Sequence, residues 1–271
     1  MKFLLPCLVL LLAACADGRD ARPNADRIAA SGGLTRMELS TRPFRLVGYV
    51  RFAAVPVLRV YIEGDGHAWA SPDRPSDDPT PWAPVALALA ARDPSASVAY
   101  LGRPCQYVAL GSDPTCEAYF WTDGRYHESV IASMNAAIDR LRTASGAATL
   151  ELVGFSGGGA VAALIAARRH DVANLRTVAA NLDIADWTAR QRLRPLRGSL
   201  NPADEAERLT ALPQMHFSGR EDAVVDTAVA RAYRARFIRP DCIGVAVIDG
   251  VGHGNGWPEL WPDLLRRGMP C

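Results

Sequence analysis

The chain has 271 residues, of which 49% are hydrophobic and 22% charged, with 22 Gly and 19 Pro; these values exclude collagen-like, low-complexity and wholly disordered chains. The length suits one large α/β domain or two small ones. A formal net charge of +1 supplies no global field toward nucleic acid or anionic lipid, so no nucleic-acid partner is expected. Lys2 is the only lysine among 30 basic residues, which removes a lysine Schiff base, a Ser–Lys pair and a phosphate-binding G-x-x-x-x-G-K-[ST] loop from the folded body.

The chain opens with a cation at Lys2, an apolar run from Phe3 to Leu12, and small residues. This pattern is an export signal too short to span a membrane. Its end, Leu12-Ala13-Ala14-Cys15, resembles the bacterial lipoprotein signal. That resemblance implies a signal over residues 1–14, acylation of Cys15, and a membrane partner reached only through that lipid. Ala16 after the cysteine implies the outer membrane, facing the periplasm. A plain secretory signal with Cys15 incidental is the other reading. Residues 15–40, polar and rich in Ala and Gly without a clear period, are expected to be a tether.

Residues 41–271 are expected to form a single domain. Residues 44–52, 58–62 and 97–101 read as strands, with a Pro56 break between the first two. Residues 127–142 have helical spacing, with Val130, Ile131, Met134, Ile138 and Leu141 on one side. A buried strand over 149–155 leads through a Gly-rich turn into an apolar helix over 159–168. Strands follow at 175–180, 214–218 and 244–248, and helices at 226–236 and 259–266. Strands alternating with helices imply a mostly parallel sheet covered on both faces. Residues 183–209, rich in Arg, Leu and Pro, are expected to form a small cap over the carboxyl edge of the sheet. No internal repeat is visible.

Export permits disulfides. Apart from Cys7 and Cys15, four cysteines remain, and four allow three pairings. Cys105 and Cys116 flank a turn-rich stretch and are expected to pair, leaving Cys242 to staple Cys271. No C-x2-C or paired His/Cys spacing suggests a metal.

Gly154-Phe155-Ser156-Gly157-Gly158-Gly159 lies where a buried strand meets a helix. A G-x-S-x-G in that context is a sharp turn that presents the serine hydroxyl at the top of a sheet, whereas the spacing does not fit a dinucleotide loop. A serine needs a base. His127 and His170 fall at helix ends and His216 inside a strand. His253 sits in the side-chain-poor loop Gly250-Val251-Gly252-His253-Gly254-Asn255-Gly256, just after the last strand. Asp222, in the turn after strand 214–218, is the expected acid that orients the imidazole. Asp226 is a better helix cap, and Glu221 is a rival acid. Two N–H donors must face the developing oxyanion. Gly157 would give one, and the loop 61–67 would give the other from Asp65 or Gly66, unless that loop is only a tight turn.

Ser156, Asp222 and His253, in that chain order, resemble the triad of an α/β-hydrolase, and the resemblance spans about residues 44–267. It implies the α/β-hydrolase fold, with Ser156 as nucleophile, Asp222 as acid and His253 as base. Gly157 and Asp65 would be the oxyanion donors. Many members carry His-Gly where this chain has Glu63-Gly64, which puts a carboxyl group beside the site. The expected reaction is hydrolysis of a small-molecule acyl ester through an acyl-enzyme, with no metal or organic cofactor. Amide, peptide or thioester hydrolysis would use the same residues. A non-catalytic envelope lipoprotein on this scaffold is the alternative of another class. Trp69, Trp82, Trp121 and Trp257 line a pocket or pack, and nothing in the sequence sorts them.

Overall fold

The computed structural model describes residues 20–109 and 111–271. The export signal and Cys15 lie outside the described residues. In chain order the elements are α1 (Arg22–Ser31), β1 (Thr35–Ser40), β2 (Arg45–Arg51), β3 (Val57–Ile62), a hairpin of β4 (Trp69–Ser71) and β5 (Arg74–Pro75), α2 (Val85–Ala91) and β6 (Val98–Leu101). They continue through α3 (Glu128–Ser145), β7 (Thr149–Phe155), α4 (Gly157–Ala166), β8 (Val172–Val178), α5 (Ile184–Arg190), β9 (Gln214–Gly219), α6 (Thr227–Arg234), β10 (Ile243–Ile248) and α7 (Trp257–Leu265).

Eight strands form one sheet in the order β1-β2-β6-β3-β7-β8-β9-β10. From β6 through β10 every neighbouring pair is parallel, while β1 and β2 close one edge antiparallel. Parallel strands must be covered on both faces, and the apolar side chains divide accordingly. One core holds Leu58, Val60, Leu150 and Leu152 against α3 and α4. The other holds Tyr61, Val153 and Phe217 against α1, α2 and α7. All ten residues of α4 are buried, which explains why its sequence is apolar all round rather than amphipathic. The helix α3 starts at His127, whose ring accepts the Ser129 N–H, and stops at Gly146 in the left-handed conformation.

Part of the expected tether is structured instead. Residues 22–31 form α1 and residues 35–40 form the edge strand β1. Ala25 and Ala29, four residues apart, are buried against the second core, with Ile28 packed beside them. The inward stripe of this helix is built of alanines, so its hydrophobic period is faint in sequence. The sequence pattern does not predict α2 either: its seven residues are uniformly apolar and carry no helical period.

Cys105 is bonded to Cys116, and Cys242 to Cys271. The segment 183–209 contains α5 and a single 3-10 turn at Pro202–Glu205, joined by an irregular stretch with turns at 191–192 and 197–198.

Candidate active site

β7 ends at Phe155, and the chain must reverse within one residue to enter α4. Ser156 absorbs the turn with φ 51° and ψ −124°, a strained conformation for a residue with a side chain. The glycines beside it follow from space. A Cβ on Gly158 would fall on the carbonyl oxygens of Ile62 and Glu63, and one on Gly157 would fall on the Asp65 carboxylate. At the first position of α4 the Gly157 N–H has no carbonyl one turn earlier in the helix to bond.

His253 and Asp222 come from the turns after β10 and β9, the same carboxyl edge of the sheet. His253 Nε2 is 3.0 Å from Ser156 Oγ, and its Nδ1 is 2.9 Å from Asp222 Oδ2. The Asp222 side chain is fully buried, and its other oxygen accepts the Val224 and Val225 N–H groups, each at 2.8 Å. Those bonds fix the carboxylate before the imidazole reaches it. The His253 loop is itself held, because the Trp257 indole N–H donates to the carbonyls of Gly252 and His253.

The rival residues are occupied elsewhere. Asp226 caps α6 by accepting the Ala228 N–H, and exposed Glu221 accepts the Gly250 N–H. His216 is buried on β9, with Nδ1 2.9 Å from Thr177 Oγ1 and the Tyr233 ring edge-on; burial pushes it down to about 3. It is a neutral core residue.

The loop after β3 lies across the turn from Ser156. Gly66 takes φ +65°, and a Cβ there would strike the carbonyl oxygen of Pro79. Gln106 braces the loop, donating from Nε2 to Gly64 O at 3.0 Å while its Oε1 accepts the Arg103 N–H. Among the described residues, neither the Asp65 nor the Gly66 N–H has an acceptor in the protein. The Asp65 side chain was not anticipated. It sits between Arg125 Nη1 at 2.8 Å and Arg103 Nη1 at 3.2 Å, with the Tyr126 hydroxyl at 3.3 Å. Burial pushes its carboxyl up, but Arg125 and then Arg103 outweigh this and hold it below the usual range.

Glu63, expected from the sequence to put a carboxyl group beside the site, does not offer a free carboxylate to the cavity. It is 1% exposed, and its Oε1 accepts the Gly64 N–H at 2.9 Å while Oε2 accepts the Tyr100 hydroxyl at 3.1 Å. Burial pushes its carboxyl up to about 7, a rise only partly offset by those donors.

Ser156, His253 and Asp65 open into a cavity of about 760 Å³. Trp69 and Trp82 line it, whereas Trp121 and Trp257 are buried in the two cores. Trp82 stacks on His67 with ring centroids 4.3 Å apart. The segment 183–209 contributes Trp187, Leu193, Arg194 and Leu196 to one wall. Asn181 also faces the cavity, and its buried Oδ1 has no hydrogen-bond partner among the described residues. Trp187 and Asn181 carried no motif by which sequence could single them out.

No protein-family model matches the chain, and no curated protein matches it. Among solved structures it is similar to an alpha-beta serine hydrolase homologue from Coxiella burnetii, with 15% identity and a TM-score of 0.57 over 84% of this chain and 92% of that one. It is also similar to an α/β serine hydrolase without a lid from Xanthomonas campestris, with 14% identity and a TM-score of 0.55 over 88% and 96% of the two chains. The chain has the α/β-hydrolase fold. An esterase from Pyrococcus furiosus shares that fold, with 15% identity and a TM-score of 0.58 over 86% of this chain and 88% of the other. In this α/β-hydrolase fold the turn carrying Ser156 follows the fifth strand of the sheet order, with His253 arriving from beyond the last.

Proposed function

We propose that the protein is a serine hydrolase that cleaves carboxylic esters of small-molecule acyl substrates. The observation that carries this reading is the unbroken relay from buried Asp222 through His253 to Ser156 Oγ at the floor of a water-accessible cavity. In the proposed cycle Ser156 Oγ attacks the ester carbonyl carbon while its proton passes to His253 Nε2. Asp222 keeps Nδ1–H pointed inward and stabilises the imidazolium. The carbonyl oxygen becomes an oxyanion facing the N–H groups of Gly157 and Asp65 or Gly66. Collapse breaks the ester bond, and His253 returns its proton to the departing alcohol. Water, deprotonated by the same ring, then attacks the acyl-serine; the acyl–Oγ bond breaks, Ser156 Oγ takes the proton back from His253, and the acid is released. The names of the serine hydrolases and esterase that share the fold agree with this chemistry.

We also propose that the protein is exported and carries its lipid at Cys15. The signal pattern supports this, and no described helix is long and apolar enough to cross a membrane.

Labelling by a fluorophosphonate probe tests the hydrolase reading directly. A single adduct on Ser156, lost in Ser156→Ala, is expected together with turnover of p-nitrophenyl butyrate. Absence of both labelling and turnover in the intact protein would overturn it.

A further inference from the structure

The cavity opens through a rim of apolar side chains that the fold leaves in water. Trp82 is 57% exposed, Leu193 50% and Val224 47%, and all three line the cavity. Single exposed apolar residues are ordinary, but several around one opening mark a contact surface. Leu193 sits within a short basic stretch. Arg190, Arg192, Arg194 and Arg197 are all exposed. Arg190 is paired with Asp186, whereas the other three have no carboxylate partner among the described residues. Of the three acids that line the cavity, Glu63 is buried, Asp65 is paired with Arg103 and Arg125, and Asp123 is exposed. The cations are local, since the whole chain is nearly neutral.

The first described helix lies at this same opening. Asn24, in the first turn of α1, donates from Nδ2 to the carbonyl oxygen of Trp82 at 2.7 Å. Six residues separate Arg22 from Cys15, a reach of at most about 25 Å.

We propose that this rim docks on an anionic lipid bilayer, so that the ester taken by Ser156 belongs to a membrane lipid. The inference rests on the ester-hydrolase reading for its substrate, though not for the docking itself. The side chains match the two layers such a surface presents. Trp82 and Leu193 enter the boundary between headgroups and acyl chains, while Arg192, Arg194 and Arg197 meet the headgroup phosphates. A lipid on Cys15 would hold the opening against the same membrane, converting docking into an intramolecular event. An ester group lifted a few ångströms from the bilayer would then enter a cavity whose mouth is already in contact with it.

The test uses full-length Ser156→Ala protein, which leaves lipid uncleaved, and vesicles whose acyl chains carry bromine. Residues 1–19 contain no tryptophan, so quenching reports on the folded body however the N-terminus is held. Phosphatidylglycerol vesicles are expected to quench the portion of the emission that Trp82→Phe removes. Quenching should be several-fold weaker on phosphatidylcholine, at high salt, and in Arg192→Gln/Arg197→Gln. Absence of quenching assignable to Trp82 would overturn the proposal, and equal quenching on both lipids would overturn its anionic part. Concentration-dependent dimers in sedimentation that Trp82→Ser/Leu193→Ser abolishes would give the rim to a second copy instead. Turnover of soluble p-nitrophenyl butyrate by the wild-type protein, without vesicles, tests the ester-hydrolase reading separately, so either can fail alone.

Discussion

His253 Nε2 lies 3.0 Å from Ser156 Oγ although the two are 97 positions apart in the chain. The contact is made because each side chain leaves the same edge of a parallel sheet, one at the start of α4 and the other just after β10. Removing the hydroxyl in Ser156→Ala should lower ester turnover by about three to six orders of magnitude. Ser156→Gly should be equally inactive yet more stable by about 1 kcal/mol, because glycine adopts the positive φ without strain. Ester kinetics of the two variants beside the wild type check the first statement and urea unfolding the second, and a wild-type rate in either would remove the nucleophile.

Asp222→Asn keeps an oxygen for the Val224 and Val225 N–H groups but no longer forces Nδ1 of His253 to carry the proton. Turnover should fall about 10⁴-fold with little change in KM. Glu221→Gln, which alters an exposed side chain bonded to Gly250, should have a small effect by comparison. Steady-state kinetics on one soluble ester distinguishes the two acids.

These residues were legible because their signals are local. Gly154-Phe155-Ser156-Gly157-Gly158 and Gly252-His253-Gly254 each announce a turn within a few positions, and the strands before them are short apolar runs. Asp65 shows where that legibility ends. Its place in the loop was foreseen, but Arg103 and Arg125 stand 38 and 60 residues away, and no pattern joins them to it. Asn181 and Trp187 are likewise chosen by three-dimensional packing. α1 escaped for a different reason: two buried alanines bury too little area to print a hydrophobic period.

The cluster around Asp65 is largely buried, and its carboxylate stays ionised only because two guanidinium groups face it. Arg125→Ala should therefore be destabilising, by less than the range of about 3–5 kcal/mol for stranding one member of a buried pair, because Arg103 still faces Asp65. Asp65→Asn made in the Arg125→Ala background should recover part of that loss, since the carboxylate left with one guanidinium is gone. A double-mutant cycle by urea unfolding measures the coupling. Strict additivity of the two losses would show that the pair does not interact.

Glu63 predicts a pH dependence of stability. Its carboxyl is raised from 4.5 to about 7 in the folded protein, so the fold holds a proton that the unfolded chain releases. The stabilisation is complete below about pH 4.5 and is lost as pH rises toward 7, by roughly 3 kcal/mol. His216 acts in the opposite sense. Lowered from 6.5 to about 3 by burial, it is neutral in the fold, and stability falls as pH drops through that window. Between pH 4.5 and 6.5 the two slopes offset each other in the wild type. Glu63→Gln should remove one of them and leave a protein that loses stability steeply on acidification. Unfolding free energies measured from pH 4 to 8 check this, and parallel curves for the two proteins would contradict it.

Cys105, bonded to Cys116, is the immediate neighbour of Gln106, and Gln106 holds the carbonyl of Gly64 in the loop opposite the nucleophile. In a thiol-rich compartment that crosslink stays open. The segment behind Gly64 and Gly66 then loses its backing, while Ser156, His253 and Asp222, carried by other elements, remain aligned. Such a chain would be folded yet slow, and oxidation would complete it. On the hydrolase reading, its rate would then follow the redox state of its surroundings, which turnover measured with and without a thiol reductant checks.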